Sequence, residues 1–194
     1  MSDPLFTIGH SNYTLERFLQ LLEKHQIEIL CDVRSHPYSV YCPHFNREML
    51  EAVLTKREIR YQYVGKELGG RTEDERCLQN GKVDYLRLAQ TELFRNGLHR
   101  LEMTMSQGRT ALMCAEKDPI TCHRTILVCR YMRGKAEPIS HILEDGEIET
   151  RQGAEMRLMA LLKIESPNLF YAEEELIEQA YDRQSGAIAY GLAK

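Results

Sequence analysis

Short apolar runs alternate with helical periods along most of this chain. Phe6-Thr7-Ile8 predicts a strand that stops at Gly9-His10-Ser11. Thr14 is placed to cap a helix in which Leu15, Phe18, Leu19 and Leu22 share a face. Ile27 to Val33 predicts a second strand ending on Asp32-Val33-Arg34, and Asn46 can cap a helix through Met49, Leu50, Val53 and Leu54. Ile59 to Val64 alternates as a strand and runs into Gly65-Lys66-Glu67-Leu68-Gly69-Gly70-Arg71. The pattern then predicts a helix from Asp84 to Met105, a strand from Thr110 to Cys114, and a helix to Arg133 closed by Gly134. A strand from Pro138 to Leu143 and a helix from Glu155 to Leu162 follow.

This alternation predicts an α/β fold: a single Rossmann-like domain over residues 1–166, its sheet mostly parallel with helices on both faces. Past Pro167 the acidic stretch AEEELIEQAYDR predicts an appended C-terminal helix within a 167–194 extension, with a loose tail after Gly186. There is no internal repeat and no low-complexity segment.

Composition narrows the functional classes. A chain of 194 residues can bury a real core as one domain. A formal net charge of −4 argues against nonspecific wrapping of nucleic acid, while a local basic cleft stays possible. The first residues lack a basic n-region, and no stretch approaches the roughly 20 apolar residues a bilayer span needs. The expectation is a cytoplasmic protein without membrane contact, its six cysteines mostly reduced. None of them forms a CxxC pair, so a zinc ribbon or thioredoxin-type site has little support. As a group they read first as small buried hydrophobes, Cys129 above all. No metal ligand set, cofactor or oligomeric state is assigned.

Candidate chemistry collects at strand ends, beyond which open parallel sheets bind ligands. The first strand delivers His10 and Ser11, the second Asp32 and Arg34, the third Lys66, Gly69, Gly70 and Arg71. The fourth delivers Cys114 and Glu116, with Cys122, His123 and Arg124 close behind. Asp118-Pro119 or Thr121 would start a helix and put Cys122, His123 and Arg124 in or near its first turn. Free N–H groups and the dipole there favour an anion and would lower a thiol pKa. Each residue also has a plain reading. His10 could bond neighbouring backbone, Ser11 could cap a helix, Asp32 and Arg34 could form an ion pair, and Gly69-Gly70 could be a turn. Arg71 is placed as an anion clamp. The loop from His36 to Phe45 could be a lid, a base-stacking surface or a hydrophobic plug, and its Cys42-Pro43-His44 is a weak metal signal.

Taken together, Thr7-Ile8-Gly9-His10-Ser11, Asp32-Val33-Arg34 with Pro37 and Ser39, Leu68-Gly69-Gly70, Cys114-Ala115-Glu116 and Cys122-His123-Arg124 resemble the signature blocks of domain-of-unknown-function family 488. The resemblance extends through His141-Ile142 and the Asp145-Gly146 turn to about Leu162. It implies a compact α/β domain of cytosolic prokaryotic proteins and brings no established reaction.

Three functions compete. The first is a cysteine-dependent transferase or hydrolase acting on a small anionic or phosphate-bearing substrate. Cys114 or Cys122 would attack, His10 or His123 would move protons, and Ser11, Asp32, Arg34, Gly69, Gly70, Arg71, Glu116 and Arg124 would hold the ligand. The layout is similar to phosphatase and rhodanese loops. However, Arg124 comes later after Cys114 than in tyrosine phosphatases, and Glu116 and Asp118 would repel a dianion. The second is a redox or metal site in which Cys114 and Cys122 pair, or ligate an ion with His123 or His10. The third is a module binding a nucleotide or single-stranded nucleic acid through Arg34, Arg71, Arg124 and the Tyr-rich loop, with structural cysteines.

Overall fold

A computed structural model describes residues 3–164 and 172–191. Strands β1 (Leu5–Gly9), β2 (Ile29–Asp32) and β3 (Arg60–Tyr63) are followed by a small hairpin of β4 (Leu78–Gln79) and β5 (Lys82–Val83). Strands β6 (Thr110–Cys114), β7 (Ile139–Ile142) and β8 (Ile148–Thr150) complete the set. The main sheet has the order β3-β2-β6-β1-β7-β8 and is parallel except for β8, which runs antiparallel to β7. β1 and β6 lie at its centre, buried along their whole length, as near-continuous apolar runs covered on both faces should be.

Helices α1 (Leu15–Lys24) and α2 (Arg47–Lys56) cover one face, packing Phe18, Leu22, Leu50 and Leu54 against Ile8 and Leu30. The other face carries α3 (Gly65–Leu68), α4 (Tyr85–Ala89), α5 (Glu92–Met105) and a π-helical run over Arg124–Cys129 that continues into α6 (Arg130–Met132). Helices α7 (Arg151–Leu161) and α8 (Glu173–Ile188) pack on that same side. The α/β class, the mostly parallel sheet and the appended C-terminal helix are therefore as expected.

Local chemistry moves several boundaries. Thr14 caps α1, its Oγ1 accepting from the Arg17 N–H at 3.2 Å. Asn46 precedes α2, but its Oδ1 accepts from Ser39 N at 2.7 Å instead of from the helix. The helix expected over Asp84–Met105 is two, because Asp84 caps α4 while Thr91 starts α5 by accepting from Phe94 N. Helix α7 begins four residues earlier than expected, at Arg151, because Thr150 caps it. Strand β8 is three residues long, too short to show a period.

The extension is anchored on the domain. Arg130 donates to Glu178, Tyr181 Oη donates to Glu155 at 3.0 Å, and Gln184 Nε2 donates to Ile120 O at 2.7 Å. Of the residues expected as a loose tail, Ala187 and Ile188 finish α8, and Tyr190 and Gly191 pair with the hairpin, with Val83 N donating to Tyr190 O at 3.0 Å; residues 192–194 lie outside the described residues. The expected domain boundary at 166/167 lies outside the described residues. Among the described residues no helix is long and apolar enough to cross a membrane.

Candidate functional site

Pairing between β1 and β6 continues past their ends. His10 N donates to Cys114 O at 2.9 Å and Ser11 N to Ala115 O at 2.8 Å. Gly9 permits this approach, since a Cβ there would lie 1.9 Å from Glu116 O. Beyond Glu116, Asp118 starts a single 3₁₀ turn, Pro119–Thr121, with Oδ1 accepting from Ile120 N. Cys122 is then extended (φ −126°, ψ 141°). This corrects the expected helix start. Cys122 itself occupies the capping position: its carbonyl accepts from Thr125 N and Ile126 N, and its Sγ accepts from Arg124 N at 3.4 Å.

The result is a convergence of four donor atoms. Glu116 Oε2 lies 2.8 Å from Cys114 Sγ and 3.1 Å from Cys122 Sγ. His123 Nδ1 lies 3.5 Å from Cys114 Sγ and 4.0 Å from Cys122 Sγ. All four atoms fall within 4.8 Å of one another. His123 Nε2 donates to Val33 O at 2.9 Å, which leaves Nδ1 as the ring nitrogen that faces the sulfurs. Both cysteines are buried, while Glu116 is exposed at the mouth.

Behind this cluster sits Arg124, fully buried (0 % exposed). Its guanidinium donates to Glu116 O at 2.5 Å, Lys117 O at 3.0 Å and Thr7 Oγ1 at 3.3 Å. No carboxylate pairs with it among the described residues, so its field falls on the thiols. Burial alone would push the Cys122 thiol up. The Cys114 S–H hydrogen bond, the Arg124 charge and His123 outweigh burial and hold it well below the ordinary thiol range. Cys114, buried and donating to Cys122, is pushed well above that range. Burial and the neighbouring Cys122 charge raise the Glu116 carboxyl. The imidazole of His123 is raised too: burial disfavours its cation, but the hydrogen bond to Cys122 and that residue's charge prevail.

A second network flanks the first. Arg34 forms a bidentate pair with Asp32, Nε to Oδ1 at 2.9 Å and Nη2 to Oδ2 at 2.6 Å, and Tyr61 Oη donates to the same carboxylate at 2.7 Å. Arg34 Nη1 donates to His10 Nε2 at 3.2 Å, and His10 Nδ1 donates to Ser11 O at 2.8 Å. Burial and Arg34 lower the His10 pKa to about 4, so its imidazole is neutral. Phe45, at the end of the loop beginning at His36, is buried and stacks on His10 with ring centroids 4.3 Å apart.

A cavity of about 220 Å³ opens in front of the four donors, lined by Cys114, Glu116, His123, Arg34, Gly70, Arg71, Tyr85 and Tyr190 among others. Gly70 packs directly on His123, where a Cβ would lie 3.0 Å from the His123 Cβ. Of the candidate residues, Cys122, Arg124, Asp32, His10, Ser11 and Gly69 do not line this cavity. Cys122 and Arg124 sit beneath it, Asp32 and His10 position Arg34, and Gly69 closes α3. Sequence reasoning missed Tyr85, Ser35, Ile188 and Tyr190 as lining residues, and named His36 only as the start of a loop weighed as a lid. Ser35 follows a strand end and could have been noted; Tyr190 gave no local signal.

Fold and site together define an α/β protein with a Cys/His cluster at the carboxyl edge of a parallel sheet. Residues 14–131, more than half of the chain, match the family described as Domain of unknown function DUF488, and the chain belongs to that family. The matched span holds β2, β3, β6 and all four donor residues, while β1, β7, β8, α7 and α8 lie outside it. No curated protein and no solved structure matches the chain.

Proposed function

We propose that Cys114, Glu116, Cys122 and His123 form a binding site for a soft or borderline divalent cation of the zinc class. The site faces a cavity that takes a small anionic ligand. The observation that carries this reading is the four-donor convergence, with His123 Nε2 fixed on a backbone carbonyl and Nδ1 aimed inward. Ligand atoms around a tetrahedral zinc lie about 3.3–3.8 Å apart, from bonds of about 2.0–2.3 Å. The contacts here, 2.8, 3.1, 3.5 and 4.0 Å, surround that range. Two sulfurs, an imidazole and a carboxylate suit such an ion. Glu116, on the cavity side, is the donor placed to exchange for a ligand. A bound ion would act there as a Lewis acid.

A second reading has its own support. Cys114 lines the cavity and Cys122 does not, so without an ion Cys114 is the thiol that meets a substrate. Metal analysis of the reduced chain separates the two. The first reading expects about one zinc per chain, lost on Cys122→Ser or His123→Ala. If the protein fails to take zinc from a micromolar chromophoric chelator, and Cys114 is rapidly alkylated, the second reading replaces it.

A further inference from the structure

Ile188, the last residue of α8, and Tyr190 just beyond it lie outside the family-matched span, yet they form one wall of the cavity. Two backbone links hold this wall in place: Val83 N donates to Tyr190 O at 3.0 Å, and Gly191 bridges to Lys82. The Tyr190 ring lies 4.1 Å from the guanidinium carbon of Arg71. The three arginines near the site differ in what they have left to offer. Arg34 is neutralised by Asp32, and Arg124 is buried behind the thiols with its donors engaged. Arg71 makes no ion pair among the described residues; its backbone N–H is held by Ser35 Oγ at 3.0 Å. Tyr190 meets the guanidinium with its ring and takes none of its N–H groups, and these stay available to an anion.

We propose that Tyr190 is a specificity-determining residue: it holds Arg71 over the cavity mouth and closes that mouth with its ring. The site then admits small tetrahedral or carboxylate anions and rejects anions that carry a ring. The cavity of about 220 Å³ corresponds to about seven waters of liquid volume. That is below the roughly 300 Å³ at which pockets for larger molecules begin. The proposal deepens the cation-site reading, and rests on it only for what the anion meets at the cavity floor.

The test is calorimetric titration of inorganic phosphate and phenyl phosphate into the full chain, reduced, in zinc-loaded and zinc-free forms. Arg71→Met is expected to weaken phosphate binding roughly tenfold. Tyr190→Ala is expected to weaken phosphate about threefold while raising phenyl phosphate relative to phosphate. Tyr190→Phe keeps the ring and should match the parent. A wild-type chain that binds phosphate in neither form overturns the proposal. So does a Tyr190→Ala chain with an unchanged phosphate to phenyl phosphate ratio, because a purely structural role would weaken both ligands alike. A chain that binds no zinc yet shows the ring-dependent selectivity overturns the cation site and supports the gate. A chain that binds zinc but lacks that selectivity does the reverse.

Discussion

Lowering the pH should weaken this fold through His141, and the size of the effect follows from its surroundings. His141 lies on β7, fully buried, with Nδ1 hydrogen-bonded to Thr7 Oγ1 at 2.9 Å and Nε2 without a protein partner among the described residues. Burial first, then the charges of Arg124 and Arg157, lower its pKa to about 3; Cys122 and Asp118 pull weakly the other way. In the unfolded chain the same imidazole titrates near about 6.5. The unfolded state therefore takes up the proton first, so stability rises with pH between these two values. It is fully present above the unfolded pKa and is lost as pH falls toward the folded one. From pH 7 to pH 5 the loss is about 2 kcal/mol, taking about 1.4 kcal/mol per pH unit below the unfolded pKa. His123, whose pKa is raised, acts in the opposite sense. The wild-type slope alone is therefore not the test. Urea unfolding of the wild type and His141→Gln at both pH values is. The substitution should cost about 2 kcal/mol less at pH 5 than at pH 7, and an equal cost at both would refute the reasoning.

Two further substitutions probe how the site is held. Gly9→Ala would drive a Cβ to 1.9 Å from Glu116 O, a backbone atom that cannot swing aside. It is expected to cost about 3 kcal/mol and to lower the melting temperature by about 6–12 °C, with an unchanged melting curve as the contrary result. Arg124→Met removes the donors to Glu116 O and Lys117 O and the charge facing Cys122. It should destabilise the fold by about 3 kcal/mol and shift the ultraviolet thiolate titration to higher pH. If that titration did not move, another group would be setting the charge of Cys122.

What could be read from the sequence divides along physical lines. The sheet, and the edge that carries the Cys/His cluster, were legible because buried parallel strands are apolar runs, and parallel topology brings their carboxyl ends to one side. Cys114, Glu116, Cys122 and His123 also lie within one short loop, so the fold needed only to bend it. The direction of individual polar side chains was not legible. Arg124 read as one of the residues holding an anion at a helix start, yet it points inward to Glu116 O and Lys117 O. Asp118-Pro119 is a sound helix-start signal, but here it opens only a 3₁₀ turn before Cys122 becomes extended. Tyr190 reaches the cavity through pairing with a two-residue strand, a contact no local period encodes.

The Thr7–Arg124–His141 network was the least visible, since each member is polar in an otherwise apolar layer. It also links stability to the site. Arg124 holds the backbone of Glu116 and Lys117 through their carbonyls, while its N–H caps onto the Cys122 sulfur. The position of the Glu116 backbone and the ionisation of Cys122 thus depend on one buried cation. A perturbation at Thr7 or His141, beneath the site and outside the cavity, should therefore reach the four donors through Arg124. Weakened ion binding in Thr7→Val, with the cavity residues untouched, is the expected consequence.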